Sequence, residues 1–195
     1  MTTAPTVCVY CGSRGGESPG IRDAAVELGT HIGQQGWQLV YGGGRAGLMG
    51  LVADAAIAAG ARVTGVIPES LMQRELGHPG LHELHVVQTM HERKRLMADR
   101  ADAFVALPGG IGTFEELFEV WSWRHLAYHD RPIALLDVEH YFEPLLVMLR
   151  RTVAAGFMTA EQMAMIDVDA DPARLLRALA VKAARATAPD DLRRI

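Results

Sequence analysis

The sequence predicts a doubly wound α/β fold, a mostly parallel sheet with helices on both faces. Three observations carry this. Apolar runs of strand length alternate with segments of helical periodicity along the whole chain. The strand runs are apolar at consecutive positions, the pattern of strands buried on both faces. Glycine turns at Gly12, Gly42 and Pro108-Gly109 each follow a strand and precede a helix. Ligands of such sheets bind beyond the carboxyl ends of the strands, so these turns should gather on one edge.

In order, residues 6–10 form an apolar first strand, and Cys11-Gly12-Ser13-Arg14-Gly15-Gly16 a polar turn after it. Residues 19–34 have helical spacing, with Ile21, Ala24, Ala25, Leu28 and Ile32 on one side; Gly36 ends the helix. Residues 37–41 are the second strand. Gly42-Gly43-Gly44-Arg45-Ala46-Gly47 turns into an alanine-rich helix that Gly60 stops. Residues 62–67 are the third strand and 68–80 a polar, irregular stretch. A strand at 83–87, a helix at 91–100 and a strand at 103–107 follow. The next helix runs from Thr113 to His125 or beyond. A strand at 132–136, a helix at 141–155 and, within 159–186, a short strand near Met165 between two helical pieces complete the order. Residues 1–195 read as one domain, with a charged end from about 187 expected to fray.

A chain of 195 residues that is 49% apolar can fill one sizeable core. Its net charge of −4 argues against a coat for nucleic acid or an acidic membrane. No apolar run approaches the ~18 residues of a membrane span, and residues 1–5 lack the basic and apolar parts of a signal peptide. Two cysteines, Cys8 and Cys11, cannot build a disulfide framework. The expectation is a cytoplasmic protein.

The chemistry concentrates in FVALPGGIGTFEELF, residues 104–118. Strand, glycine turn and helix start together make an anion site. Glycine lets the backbone approach a ligand, and the first-turn N–H groups point at it, backed by the helix dipole. Glu115 and Glu116 put carboxylates beside that anion. A structural alternative competes, because Thr113 and Glu116 have capping-box spacing. Met90-His91-Glu92-Arg93-Lys94-Arg95 sets three cations at another helix start. That is either a solvated charged face or the holder of an anion.

Other patterns are weaker. Gly42, Gly44 and Gly47 satisfy G-x-G-x-x-G, with Glu69 near the end of the next strand, but they follow the second strand where a dinucleotide fingerprint follows the first. A tight turn with close strand–helix packing is the plainer reading. Cys8 and Cys11 are formally C-x-x-C, yet begin inside a strand, whereas a redox pair wants a helix N-terminus. His125 and His129 stand at i and i+4 on the predicted helix without a nearby third ligand, and His82 and His85 fall in a strand. Trp121, Trp123 and Phe118 suit the core or a subunit contact.

Held together, these segments resemble the Lonely Guy family of cytokinin-activating phosphoribohydrolases. Residues 108–116 fit its PGGxGTxxE motif and Met90-His91-Glu92-Arg93-Lys94 its M-H-x-R-K motif. Residues 9–13 and 41–50 also look like family segments. The resemblance implies a Rossmann-like homodimer, without cofactor or metal, that hydrolyses the N-glycosidic bond of a nucleoside 5′-monophosphate. Arg93 and Glu116 would be catalytic. Glu75, Lys94, Gly109, Gly110, Ile111, Gly112, Thr113, Phe114, Glu115 and Ser122 would contact substrate. Cytokinin and plain AMP stay open as substrates, and so does a non-catalytic nucleotide sensor. Relatives have also been labelled lysine decarboxylases. That chemistry needs a lysine Schiff base with pyridoxal phosphate, and the chain has only Lys94 and Lys182.

Overall fold

The structure is a computed structural model that describes residues 4–72 and 76–186. Strands β1 (Thr6–Tyr10), β2 (Gln38–Tyr41), β3 (Val63–Pro68), β4 (Glu83–Val87), β5 (Ala103–Ala106), β6 (Ile133–Leu136) and β7 (Ile166–Asp169) form one sheet. Their spatial order is β4-β3-β2-β1-β5-β6-β7, and every pairing is parallel. The helices are α1 (Pro19–Gln34), α2 (Gly47–Ala58), α3 (Met90–Asp99), α4 (Ile111–His125), α5 (Glu143–Ala154), α6 (Ala160–Met163) and α7 (Pro172–Ala183). The doubly wound expectation holds in class and in order.

Two apolar layers sandwich the sheet. On one face, Leu28 and Ile32 of α1, Val52 and Ala56 of α2, and Leu175 and Leu179 of α7 pack on Val7, Leu39 and Val105. On the other, Met97 of α3, Leu117 and Trp121 of α4, and Leu146 of α5 pack on Cys8, Phe104 and Ile133. Strands β3, β5 and β6 bury every residue, and β1 and β2 all but their first, as their apolar runs require, while edge strands β4 and β7 are half-exposed. Those edges carry charge, with Glu83 paired to Arg62 and Asp167 to Lys182, which discourages edge-to-edge pairing. Among the described residues, no helix is long and apolar enough to cross a membrane.

The chain winds outward from β1 to β4, then returns to β5 on the other side of β1. The turns leaving β1 and β5 therefore diverge, opening a crevice at the switch point. Two local expectations shift. Helix α4 begins at Ile111, two residues before Thr113. The stretch 138–142 starts as a 3₁₀ turn, Val138–His140, so α5 begins at Glu143 and not near Tyr141. The expected frayed end from residue 187 lies outside the described residues.

Helices α1 and α2 approach closely because Gly29 and Gly33 lack side chains. A Cβ at Gly29 would lie 2.4 Å from the Val52 carbonyl oxygen, and one at Gly33 would lie 2.5 Å from Ala59 Cβ. Backbone cannot yield as a flexible side chain does. Gly29→Val should therefore lower stability by about 1–3 kcal/mol, read as the shift in urea-unfolding free energy.

Candidate active site

A cleft of about 510 Å³ opens where β1 and β5 end. Its floor is the glycine turn after β5. The Gly12 N–H donates to the Pro108 carbonyl at 3.2 Å, tying the two turns together. A Cβ at Gly109 would fall 2.8 Å from Gly12 N and 2.1 Å from Thr113 Oγ1, so this approach requires glycine.

Gly110 is the N-cap of α4, and no side chain caps it. The first intrahelical bond is Phe114 N–H to Gly110 O at 3.2 Å, which leaves the N–H groups of residues 110–113 without acceptors inside the helix. This overturns the capping-box alternative. Thr113 is the third helical residue and is buried, and Glu116 lies beyond the first turn, facing the cleft. The capping box instead belongs to α3, where Thr89 Oγ1 accepts from Glu92 N–H at 3.1 Å. Glu92 Oε2 in turn accepts the Thr89 and Gln88 N–H groups.

The cation cluster is therefore not a uniform solvated face. Arg93 is 4% exposed, its Nε donating to Val66 O at 3.1 Å and its Nη2 to Gly42 O at 2.7 Å. A Cβ at Gly42 would lie 2.2 Å from that Nη2. The other fingerprint positions likewise serve the protein's own packing: Gly47 has φ +62° and no room beside Ser13, and Gly44 bridges to Gly77. Of the three, Gly42 shapes a seat for the arginine.

Arg93, Gly109, Gly110, Ile111, Gly112, Thr113, Glu115 and Glu116 all line the cleft. Lys94, Phe114 and Ser122 do not. Lys94 reaches across to α4, donating to Glu115 and, at 2.9 Å, to Glu119. Burial pulls its ammonium pKa down, but hydrogen bonds to both carboxylates, with their charges, outweigh this and raise it above the usual lysine value. Phe114 packs against Tyr141, and Ser122 faces outward on α4. Glu75 lies outside the described residues. Sequence reasoning missed Tyr141, which lines the cleft and donates to Gly109 O. Its only signal was a tyrosine just past a strand's carboxyl end.

Beneath the cleft, burial pushes the Cys8 thiol far above its ordinary pKa. The Glu116 charge pushes the same way and the Arg93 charge opposes it, so both groups bear on one buried atom. Cys8 and Cys11 point to opposite faces of the sheet, and a buried, protonated thiol is no redox nucleophile. The histidine pair also dissolves. Helix α4 ends at His125, and His129, buried beyond it, spends Nε2 on Val120 O and Nδ1 on Arg131 N–H. His82 Nδ1 accepts from Val63 N–H. Trp121 and Trp123 are core, whereas Phe118 stays partly exposed.

The family profile described as "Possible lysine decarboxylase" matches residues 49–179. The cytokinin riboside 5′-monophosphate phosphoribohydrolase LOG of Oryza sativa subsp. japonica is 49% identical over 170 residues, covering 87% of this chain and 70% of that protein. A counterpart in Arabidopsis thaliana is 48% identical over 153 residues, covering 78% and 72%. Among solved structures, the Moco carrier protein from Chlamydomonas reinhardtii superimposes with a TM-score of 0.71 at 22% identity, over 94% of this chain and 99% of that one. At that identity the likeness shows the fold alone.

Removing the Arg93 guanidinium would leave the carbonyls of Val66 and Gly42 without their donors. Arg93→Met should cost about 2–4 kcal/mol of folding free energy, since charge-assisted bonds at buried acceptors are lost. Urea unfolding of the purified variant measures it.

Proposed function

The chain belongs to the family described as possible lysine decarboxylase, alongside the cytokinin riboside 5′-monophosphate phosphoribohydrolases, and from that premise we propose the following reaction. The protein hydrolyses the N-glycosidic bond of cytokinin (N6-modified adenosine) 5′-monophosphates, releasing free base and ribose 5-phosphate. The observation that carries this reading is one cleft that holds an uncapped helix start, a buried arginine and a carboxylate together.

The 5′-phosphate sits on the N–H groups of residues 110–113, at the positive end of α4. Held there, the sugar is fixed, and binding energy orients the reacting carbon. As the bond from C1′ to the base nitrogen breaks, positive charge grows on the ribose. The Glu116 carboxylate stabilises that oxocarbenium-like state and orients the attacking water. The departing base takes a proton and water supplies the new C1′ hydroxyl. Arg93 positions the ribose or the carboxylate, and Glu115 completes the cleft wall. Neither lysine lines the cleft. Lys94 is a firmly protonated partner of Glu115 and Glu119, and Lys182 pairs with Asp167 on the far edge, so Schiff-base decarboxylation lacks its nucleophile.

The reading extends to assembly and place. Residues 1–195 act as one nucleotide-binding domain, without nucleic acid or membrane as partner. A homodimer is supported by apolar side chains left exposed on and just beyond α4, Phe118 and Leu126. The free cysteines suit the reducing cytoplasm.

Chromatography of free base after incubation with AMP, isopentenyladenosine 5′-monophosphate and the unphosphorylated nucleosides tests the reaction. Base should appear only from the monophosphates, faster from the prenylated one. Faster AMP cleavage would make the protein a general AMP nucleosidase, and binding without release a sensor. Glu116→Gln should lower kcat by at least about 100-fold while the melting temperature holds. Retained turnover would remove Glu116 from the mechanism.

A further inference from the structure

We propose, resting on the phosphoribohydrolase reading, that Tyr141 is a positioning residue that fixes the peptide between Gly109 and Gly110 and so sets the aim of the phosphate site. The Tyr141 hydroxyl donates to the Gly109 carbonyl oxygen. A trans peptide is planar, with its C=O and N–H pointing in opposite directions. Holding the Gly109 carbonyl therefore also fixes the Gly110 N–H, the first of the donors left open at the start of α4.

This peptide needs holding. Both flanking residues are glycine, so no side chain there opposes a flip, and beside Gly110 the space is open, since a Cβ there would meet nothing within 4 Å. A flipped peptide would turn a carbonyl oxygen toward the anion in place of an N–H. Hydrogen bonding from Tyr141 opposes that flip.

The fold brings Tyr141 there at a conformational cost. Glu139 and His140 both have left-handed backbones, φ +53° and +59°, a region that non-glycine residues rarely occupy. Anchors on either side enforce it. Glu139 Oε1 accepts from Ser18 Oγ at 2.7 Å, just before α1. Asp137, buried after β6, takes the Phe142 N–H at 2.7 Å, and the Phe142 ring is fully buried. The Tyr141 ring then lies parallel to Phe114 of α4, 6.5 Å between centroids, so hydroxyl and ring both register against the glycine loop. A turn needed only to connect β6 with α5 has no use for two strained residues; one that delivers a tyrosine to the loop does.

Tyr141→Phe keeps the ring and removes the hydroxyl. Calorimetry with ribose 5-phosphate, alongside steady-state kinetics on a nucleoside monophosphate, reads the effect. Affinity for ribose 5-phosphate should weaken about three- to tenfold, the worth of one neutral hydrogen bond. KM should rise in step, with kcat and melting temperature little changed. Unchanged affinity, or a lower melting temperature with affinity intact, overturns the proposal. Wild-type protein that binds ribose 5-phosphate but releases no base sinks the hydrolase reading alone, and the binding comparison still decides the role of Tyr141. Failure of the wild type to bind ribose 5-phosphate overturns both.

Discussion

A guanidinium that is 4% exposed is the constraint around which this molecule is arranged. A buried cation is tolerated only when its donors are satisfied. Arg93 meets that demand with the Val66 carbonyl within β3 and the Gly42 carbonyl in the turn after β2, so helix α3 is locked to both segments. Gly42 must be glycine to admit it. Once seated, the cation makes the crevice between β1 and β5 a place where negative charge is welcome, and α4 adds the positive end of its dipole to the same space. Glu116 lines that same cleft from α4.

The fold was largely legible because its signals are redundant. Unbroken apolar strands, helical spacing and three glycine turns all demand the same sheet, and no single residue decides it. The site was legible where chemistry is written in sequence-local form, as in residues 108–116 and 90–94. It was not legible where partners are far apart in the chain. Thr113 and Glu116 have the spacing of a capping box, yet the glycine turn lets α4 start earlier at Ile111, and the box forms at Thr89 and Glu92. His125 and His129 matched a helical pair only on the assumption that the helix continued. Tyr141 reaches Gly109 across 32 residues, a contact that no local pattern encodes.

The family's description and its chemistry point apart, and the lysines show why. A Schiff-base lysine must spend part of its time neutral, which calls for a desolvated or cation-flanked amine with a depressed pKa. Lys94 is partly desolvated, but its two carboxylate partners outweigh the burial, raise its pKa and hold its nitrogen on the flank of α4. Its evident work is to orient Glu115 at the cleft's rim and to strap α3 to α4. That strap matters for geometry, because Arg93 rides on α3 while Glu116 and the glycine turn at the cleft ride on α4.

Relative placement of α3 and α4 is therefore the quantity the site depends on, and neither helix could set it alone. Each is positioned at its amino end by a different device. Helix α3 has a full capping box that satisfies the N–H groups of Thr89 and Glu92. Helix α4 has none, and its donors remain directed at the cleft. The asymmetry has a physical logic. A capped start is stable by itself and suits a helix whose task is to hold Arg93 rigidly, whereas an uncapped start has unmet hydrogen-bonding capacity that an oxyanion can satisfy. The sequence distinguishes the two in the residue before each helix: a hydroxyl at Thr89, and at Gly110 no side chain at all. The proposed anion site thus rests on α4 being left without the side-chain cap that α3 has.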